Sequence, residues 1–150
     1  MSKQPLIVRN GQAETLSVMG TQVRLLCEAD KTDNKWSLMD CVMPKHTGPP
    51  PHQHPWDEAY FVVSGQVRFN LDGREVLAGT GDFVYAPANT PHGFQGASEE
   101  PAHVLFFDAP AAAEGFFRDV EREVQQMPQD LSKVLEIGER HRIHFLPPPQ

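Results

Sequence analysis

The sequence predicts an all-β fold, an antiparallel sandwich or barrel, with a helical extension at its C-terminal end. Three observations predict it. Short β-branched and aromatic runs recur along the first two thirds of the chain, 14 prolines and 11 glycines punctuate them, and after Asp108 the apolar period lengthens to that of a helix. At 150 residues the length suits a single domain spanning 1–150, with the barrel over about 14–108 and the helices over about 110–141.

Residues 6–9 and 16–18 are short and broken by Asn10-Gly11 and Met19-Gly20, the pattern of edge strands around turns. Residues 21–28 alternate, with Val23, Leu25 and Cys27 on one face and Gln22 and Arg24 on the other, as a half-buried strand does. Residues 36–43 are apolar on both parities, as expected of a strand covered on both faces. Pro49, Pro50 and Pro51 then fix three backbone angles and remove three donors, so this run is extended, lies outside any sheet and delivers the chain stiffly to His52. Residues 59–64 and 67–71 read as strands, Asp72-Gly73 as a two-residue hairpin turn, and 74–77 as its return. A Gly79-Thr80-Gly81 turn leads to a short strand at 82–85, and strands at 92–95 and 102–107 complete the series. Pro110 suits a first helical position, and Phe116, Val120, Val124 and Met127 recur at helical spacing over 111–126. Pro128 ends that helix, and Asp130 is placed to cap a second, striped by Leu131, Val134 and Leu135 and running to about Arg140. Both stripes are expected to pack on the outer face of the barrel or on a partner chain, and residues 147–150 to form a frayed extended end.

The net charge of −7, with no window that gathers Lys and Arg, argues against nucleic acid and anionic membrane as partners. No apolar run approaches a membrane span and residues 1–15 lack the apolar core of a signal peptide, so a cytoplasmic location is expected. Cys27 and Cys41 sit in separate apolar runs and read as small buried hydrophobes without a disulfide. Residues 36–43 and 60–63 carry apolar side chains on both faces, which calls for cover from the N-terminal strands, the helices or a second subunit; a homodimer is expected.

The stretch from Gly48 to Gly65 carries the chemistry. Residues two apart in a strand project from one face, so His52 and His54 point together, and Glu58, at an even offset, joins them if the bend at Pro55 preserves the parity. Imidazoles and one carboxylate on one side of an ion leave coordination positions open, as divalent iron and related metals need when substrate or oxygen must also bind. Closed zinc sites usually want thiolates, and neither cysteine lies near this stretch. A fourth candidate, His92, follows Pro87, Asn89, which tolerates a left-handed backbone, and Thr90-Pro91, which presets an extended approach. Together His52, His54, Glu58 and His92 are the candidate ligands of one metal ion. His46 reads as a loop residue near the mouth of the site, His103 lies on a strand of either facing, and His141 and His144 read as surface residues.

The two windows resemble the paired motifs of the cupin superfamily. The family's first motif runs Gly, His-x-His, three or four residues, Glu, six residues and Gly; from His52 through Glu58 to Gly65 the chain matches. The second runs Gly, five residues, Pro-x-Gly, two residues and His, then Asn; Gly81, Pro87 and His92 match. The chain departs where the family's leading Gly falls at His46 and the chain has Gly48, where Asn89 replaces a Gly, and where Gly96 stands in place of the Asn. The resemblance implies a double-stranded β-helix, the jelly-roll barrel, and makes His52, His54, Glu58 and His92 ligands of one divalent transition metal, Fe, Mn, Ni, Co, Cu or Zn.

Within the superfamily, HQHPWDEAYFVVSG and the helical extension look most like small single-domain proteins related to bacterial quercetinases, metal-dependent dioxygenases that open a flavonol ring. That resemblance implies a small aromatic or enolisable substrate with dioxygen. Glu58 would take the substrate's proton, a role calling for a raised carboxyl pKa. Tyr60 and Phe94 would line the substrate cavity. A non-catalytic small-molecule or metal-binding module, and an isomerase or epimerase of the same fold working without a metal, stay open beside it.

Overall fold

The computed structural model describes residues 3–147. Its strands are β1 (Glu14–Val18), β2 (Thr21–Cys27), β3 (Ser37–Met43), β4 (His52–Gln53), β5 (Asp57–Ser64), β6 (Val67–Leu71), β7 (Arg74–Ala78), β8 (Phe83–Ala86), β9 (His92–Gly96), β10 (Ala102–Ala109) and β11 (His144–Phe145). Two helices, α1 (Ala113–Glu123) and α2 (Leu131–Arg140), separate β10 from β11. The strands form two antiparallel sheets, one in the order β1-β2-β3-β10-β5-β8 and one in the order β11-β4-β9-β6-β7.

Alternation along each strand sets which side chains meet between the sheets. Met39, Cys41 and Met43 from β3, Tyr60 and Val62 from β5, Val104 and Phe106 from β10, and Val67 and Phe69 from β6 are all buried in one cluster. Each fully buried large apolar side chain contributes roughly 1.5–3 kcal/mol of transfer free energy, so this inner layer holds the two sheets face to face. The Asp72-Gly73 turn closes the β6–β7 hairpin with φ of 51° and 85°, the pair of positive angles that a two-residue hairpin requires.

The proline run lies outside the sheets and crosses β9 at close range. A Cβ on Gly93 would stand 2.8 Å from Pro51 N, and one on Gly48, whose φ is 141°, would stand 2.1 Å from Phe94 O. Only glycine lets these two backbones pass. The crossing is tied by Phe94 N–H to Pro49 O at 3.3 Å and Gly96 N–H to Thr47 O at 2.9 Å. Glycine at position 48 thus has a steric cause.

Four sequence expectations change. Residues 6–9 form no strand; Leu6 and Val8 line a shallow groove with Trp36 and Leu38 and so cover part of the outer face of β2 and β3. Residue 40, inside the run read as apolar on both faces, is a buried Asp paired with Arg24 at 2.5 Å. Pro110 does not start α1: Ala112 holds the N-cap position, and the Asp108 carboxylate accepts from Ala112 N–H at 2.8 Å and Ala113 N–H at 2.9 Å. Asp130 holds the N-cap position of α2 as expected, but its carboxylate makes no capping bond and accepts instead from the backbone N–H groups of Gln125 and Gln126.

The helices also dock differently. α1 packs on β1 and turns Ala113, Phe116 and Phe117 into the cavity between the sheets, instead of lying on the outer face. An apolar stripe reports that a helix face is buried, not which surface buries it. Behind α2 the chain returns as β11, pairing Phe145 with His52 and His144 with Gln53 of β4. Residues 148–150 of the expected frayed end lie outside the described residues. Among the described residues no helix is long and apolar enough to cross a membrane.

Candidate metal centre

The two sheets supply different donors. β4 and β9 are neighbours, and His52 is the register partner of His92. His54 follows β4 directly, where Pro55 holds it extended. Glu58 comes from β5 in the opposite sheet, in register with Asp108 and Ala86. The loop before β9 is stapled to the loop before β5 by Asn89 N–H to His54 O and by Ala88 N–H to Asp57 Oδ1, both 2.8 Å, with Asn89 at φ 67°. One donor atom from each of His52, His54, Glu58 and His92 lies within 4.8 Å of the other three, and all four residues are buried.

The hydrogen bonds fix which imidazole nitrogen faces inward. His52 Nδ1 meets Pro50 O at 2.8 Å, His54 Nδ1 meets Trp56 O at 3.1 Å, and His92 Nδ1 meets Thr90 O at 2.7 Å. A carbonyl oxygen only accepts, so each Nδ1 carries the proton and each neutral ring presents the lone pair of Nε2. His92 Nε2 lies 2.9 Å from Glu58 Oε1, and His54 Nε2 lies 3.0 Å from Glu58 Oε2. The His54 approach is off hydrogen-bond geometry, leaving its Nε2 buried without a hydrogen-bond partner among the described residues. Lone pairs converging on a buried carboxylate need a cation between them, and this donor set suits a divalent transition metal.

Burial pushes His52 down to about 4, with the nearby His92 adding to the effect. A proton on Nε2 can fill the cation's role at His92: burial works against this charged ring, but the hydrogen bond that the proton makes to Glu58 and the field of that carboxylate carry His92 above the ordinary histidine value. For Glu58, burial acts upward and is overruled by the contacts with His54 and His92, which hold it below the usual carboxylate range. The raised carboxyl expected of a proton acceptor is therefore reversed. Sequence spacing showed that the imidazoles could gather near Glu58 but not that two of them touch it.

Around this cluster lies a mainly apolar cavity walled by Phe94, Phe106, Phe116, Phe117, Ile143 and Phe145, among others, and bordered by His52, His54 and Glu58. Phe94 is in the wall. Tyr60 is not; it is buried behind Glu58 and donates its hydroxyl to Oε1, and burial followed by the Glu58 charge raises its own pKa. Cys41 lies in the same wall although it is distant in sequence, its thiol pushed up to about 12 chiefly by burial. His46, with φ 69°, and His103 are outside the cavity lining. His144 is exposed, whereas His141 is half-buried and meets Asp119 at 2.7 Å.

A family model described as a cupin domain matches residues 39–108, the segment from β3 through β10 that contains all four donors. The chain carries a cupin domain over that segment. It is 29% identical over 116 residues to quercetin 2,3-dioxygenase of Bacillus subtilis, a match covering 76% of the chain and 34% of that relative. It is 49% identical over 47 residues to acireductone dioxygenase of Alcanivorax borkumensis, covering 29% of the chain and 26% of the relative. The chain therefore spans about a third or less of the length of these two curated relatives. The solved RmlC-like cupin of Shewanella frigidimarina superposes with a TM-score of 0.64 at 18% identity, over 76% of this chain and 98% of that one, and so shares its fold.

Trp56 and Phe145 are among the residues around the site that escaped the sequence reading. Trp56 shares parity with Glu58 and Tyr60, a signal that was available. Phe145, whose ring lies 5.6 Å from His52, had no local signal, since only the return of the chain after α2 brings it there.

Proposed function

We propose that this protein is a metal-dependent dioxygenase of the quercetinase type, acting with dioxygen on a small aromatic or enolisable compound, with His52, His54, Glu58 and His92 holding one divalent metal. The observation that carries the reading is the convergence of three Nε2 lone pairs and a carboxylate, every Nδ1 proton already engaged, beside a cavity rich in phenylalanine. The two relatives named as dioxygenases support the reaction class.

When bound, the ion supplies Lewis-acid and redox chemistry at open coordination positions. The chain's own residues do the rest. Phe94 and Phe106 from the sheets, with Phe116 and Phe145 from the C-terminal segment, offer an apolar bed that orients an aromatic body and excludes water. Glu58 borders the cavity and is ionised through the neutral range, so it is the group placed to receive a substrate proton.

The test is oxygen uptake by protein of measured metal content, assayed with flavonols, β-diketones and related enols. Turnover that disappears in His52→Ala and His92→Ala is expected. Metal-loaded protein that consumes no oxygen with any of these compounds, yet retains one of them unchanged, would instead establish a binding module. Isomerase activity that persists without metal would overturn the assignment.

A further inference from the structure

We propose that Trp56 is the positioning residue of the metal centre, fixing the planes of both His54 and Glu58. The inference rests on the reading of these residues as metal ligands. Three parts of Trp56 act on the site. Its carbonyl accepts from His54 Nδ1–H at 3.1 Å, which selects the tautomer. Its indole lies face to face with the His54 imidazole, centroids 4.1 Å apart and planes 6° from parallel, which fixes the ring's rotation. Its Nε1–H donates to Glu58 Oε2 at 3.1 Å, which fixes the carboxylate.

The local chain explains why one side chain reaches both. Trp56, Glu58 and Tyr60 share a parity and are all buried, so they form an inward column leading into β5, and the bend at residues 55–56 sets the indole against the His54 ring. Tyr60 completes the grip by donating to Glu58 Oε1. A carboxylate held by a donor on each oxygen keeps one orientation when an ion arrives, so little rotational freedom is lost on binding. Neither Trp56 nor Tyr60 lines the cavity, so both act through Glu58 and His54 and not on substrate.

Trp56→Phe separates the effects, because it retains a ring against His54 and the backbone carbonyl but removes the N–H donor. Cobalt(II) serves as the probe, its visible d–d spectrum reporting ligand geometry. Wild-type protein that binds no cobalt would remove the metal-site reading itself. If wild type binds, Trp56→Phe is expected to bind about 10-fold more weakly or worse, with a shifted spectrum, and Tyr60→Phe to change in the same direction. Equal affinity and an unchanged spectrum in Trp56→Phe would overturn the proposal. Trp36→Phe gives an independent measurement that needs no change at the site, since Trp36 stacks on Phe107 and leaves Trp56 as the sole indole. Cobalt should quench that emission in step with occupancy; a saturated protein with undiminished emission would also overturn the proposal.

Discussion

Removing the Asp108 carboxylate tests how the barrel carries its helical wall. Asp108 ends the inward register of β10 and is fully buried, 0% exposed. One oxygen accepts from the first two backbone N–H groups of α1's start, Ala112 and Ala113, and the other from the Ser37 hydroxyl on β3. In Asp108→Ala the helix loses its cap, which costs about 1 kcal/mol. A buried hydroxyl also loses its acceptor, which costs roughly 1–3 kcal/mol more. The expected loss is about 3 kcal/mol, read as a lower urea midpoint at unchanged m-value or as a melting temperature lower by roughly 6–12 °C. Asp108→Asn retains one acceptor and should lose less. Burial, partly offset by these donors, raises Asp108 above its ordinary 3.8. As pH climbs from that value, the unfolded chain releases the proton first, so wild type should lose stability relative to Asp108→Asn until the raised value is passed. A loss below about 0.5 kcal/mol in Asp108→Ala, within the range of ordinary surface changes, would refute the claim that this carboxylate anchors α1.

Three further outcomes are expected. At pH 8 a thiol reagent should label half-buried Cys27 and spare Cys41, whose thiol is pushed up to about 12, with both labelled in denaturant; rapid double labelling of native protein would contradict the burial of Cys41. Phe116→Ala, which removes a buried ring shared by α1 and the cavity wall, should cost about 3–5 kcal/mol, and a midpoint change under 1 kcal/mol by urea denaturation would show that the wall is not packed as described. Phe61 and Phe83 are register partners on β5 and the free-edged strand β8, and with Val63 and Tyr85 they remain exposed. A homodimer by light scattering that becomes monomeric in Phe83→Arg is expected, and a wild-type monomer would count against a second copy covering this face.

The strand series was legible because the inner layer obeys a period of two with few exceptions, and the turns carry Gly, Pro or Asp-Gly where the backbone requires them. β11 was not legible as a strand, and β4 only through the strand parity of His52 and His54. Each is two residues long, and they are strands through pairing with one another and, for β4, with β9. Asp40 was hidden for another reason, since Arg24 lies 16 residues away and no local pattern announces the pair. The helical stripes were visible, but their docking surface was not, because burial of Phe116 depends on the space left between two sheets.

Spacing alone brought His52, His54 and Glu58 together as candidates, since strand parity is a local property and three successive prolines stiffen the approach to them. It also marked His92, through turn chemistry that fixes the backbone before it. Tertiary structure decided what surrounds those donors: which nitrogen each ring presents, which residues grip Glu58, and that Cys41 and Phe145 share the same cavity. Glu58 shows the difference most directly. Its presence in the set follows from its place in the sequence, but its low pKa follows from two imidazoles carried by the opposite sheet and its adjoining loop, because a charge is stabilised by what packs against it and not by its neighbours along the chain.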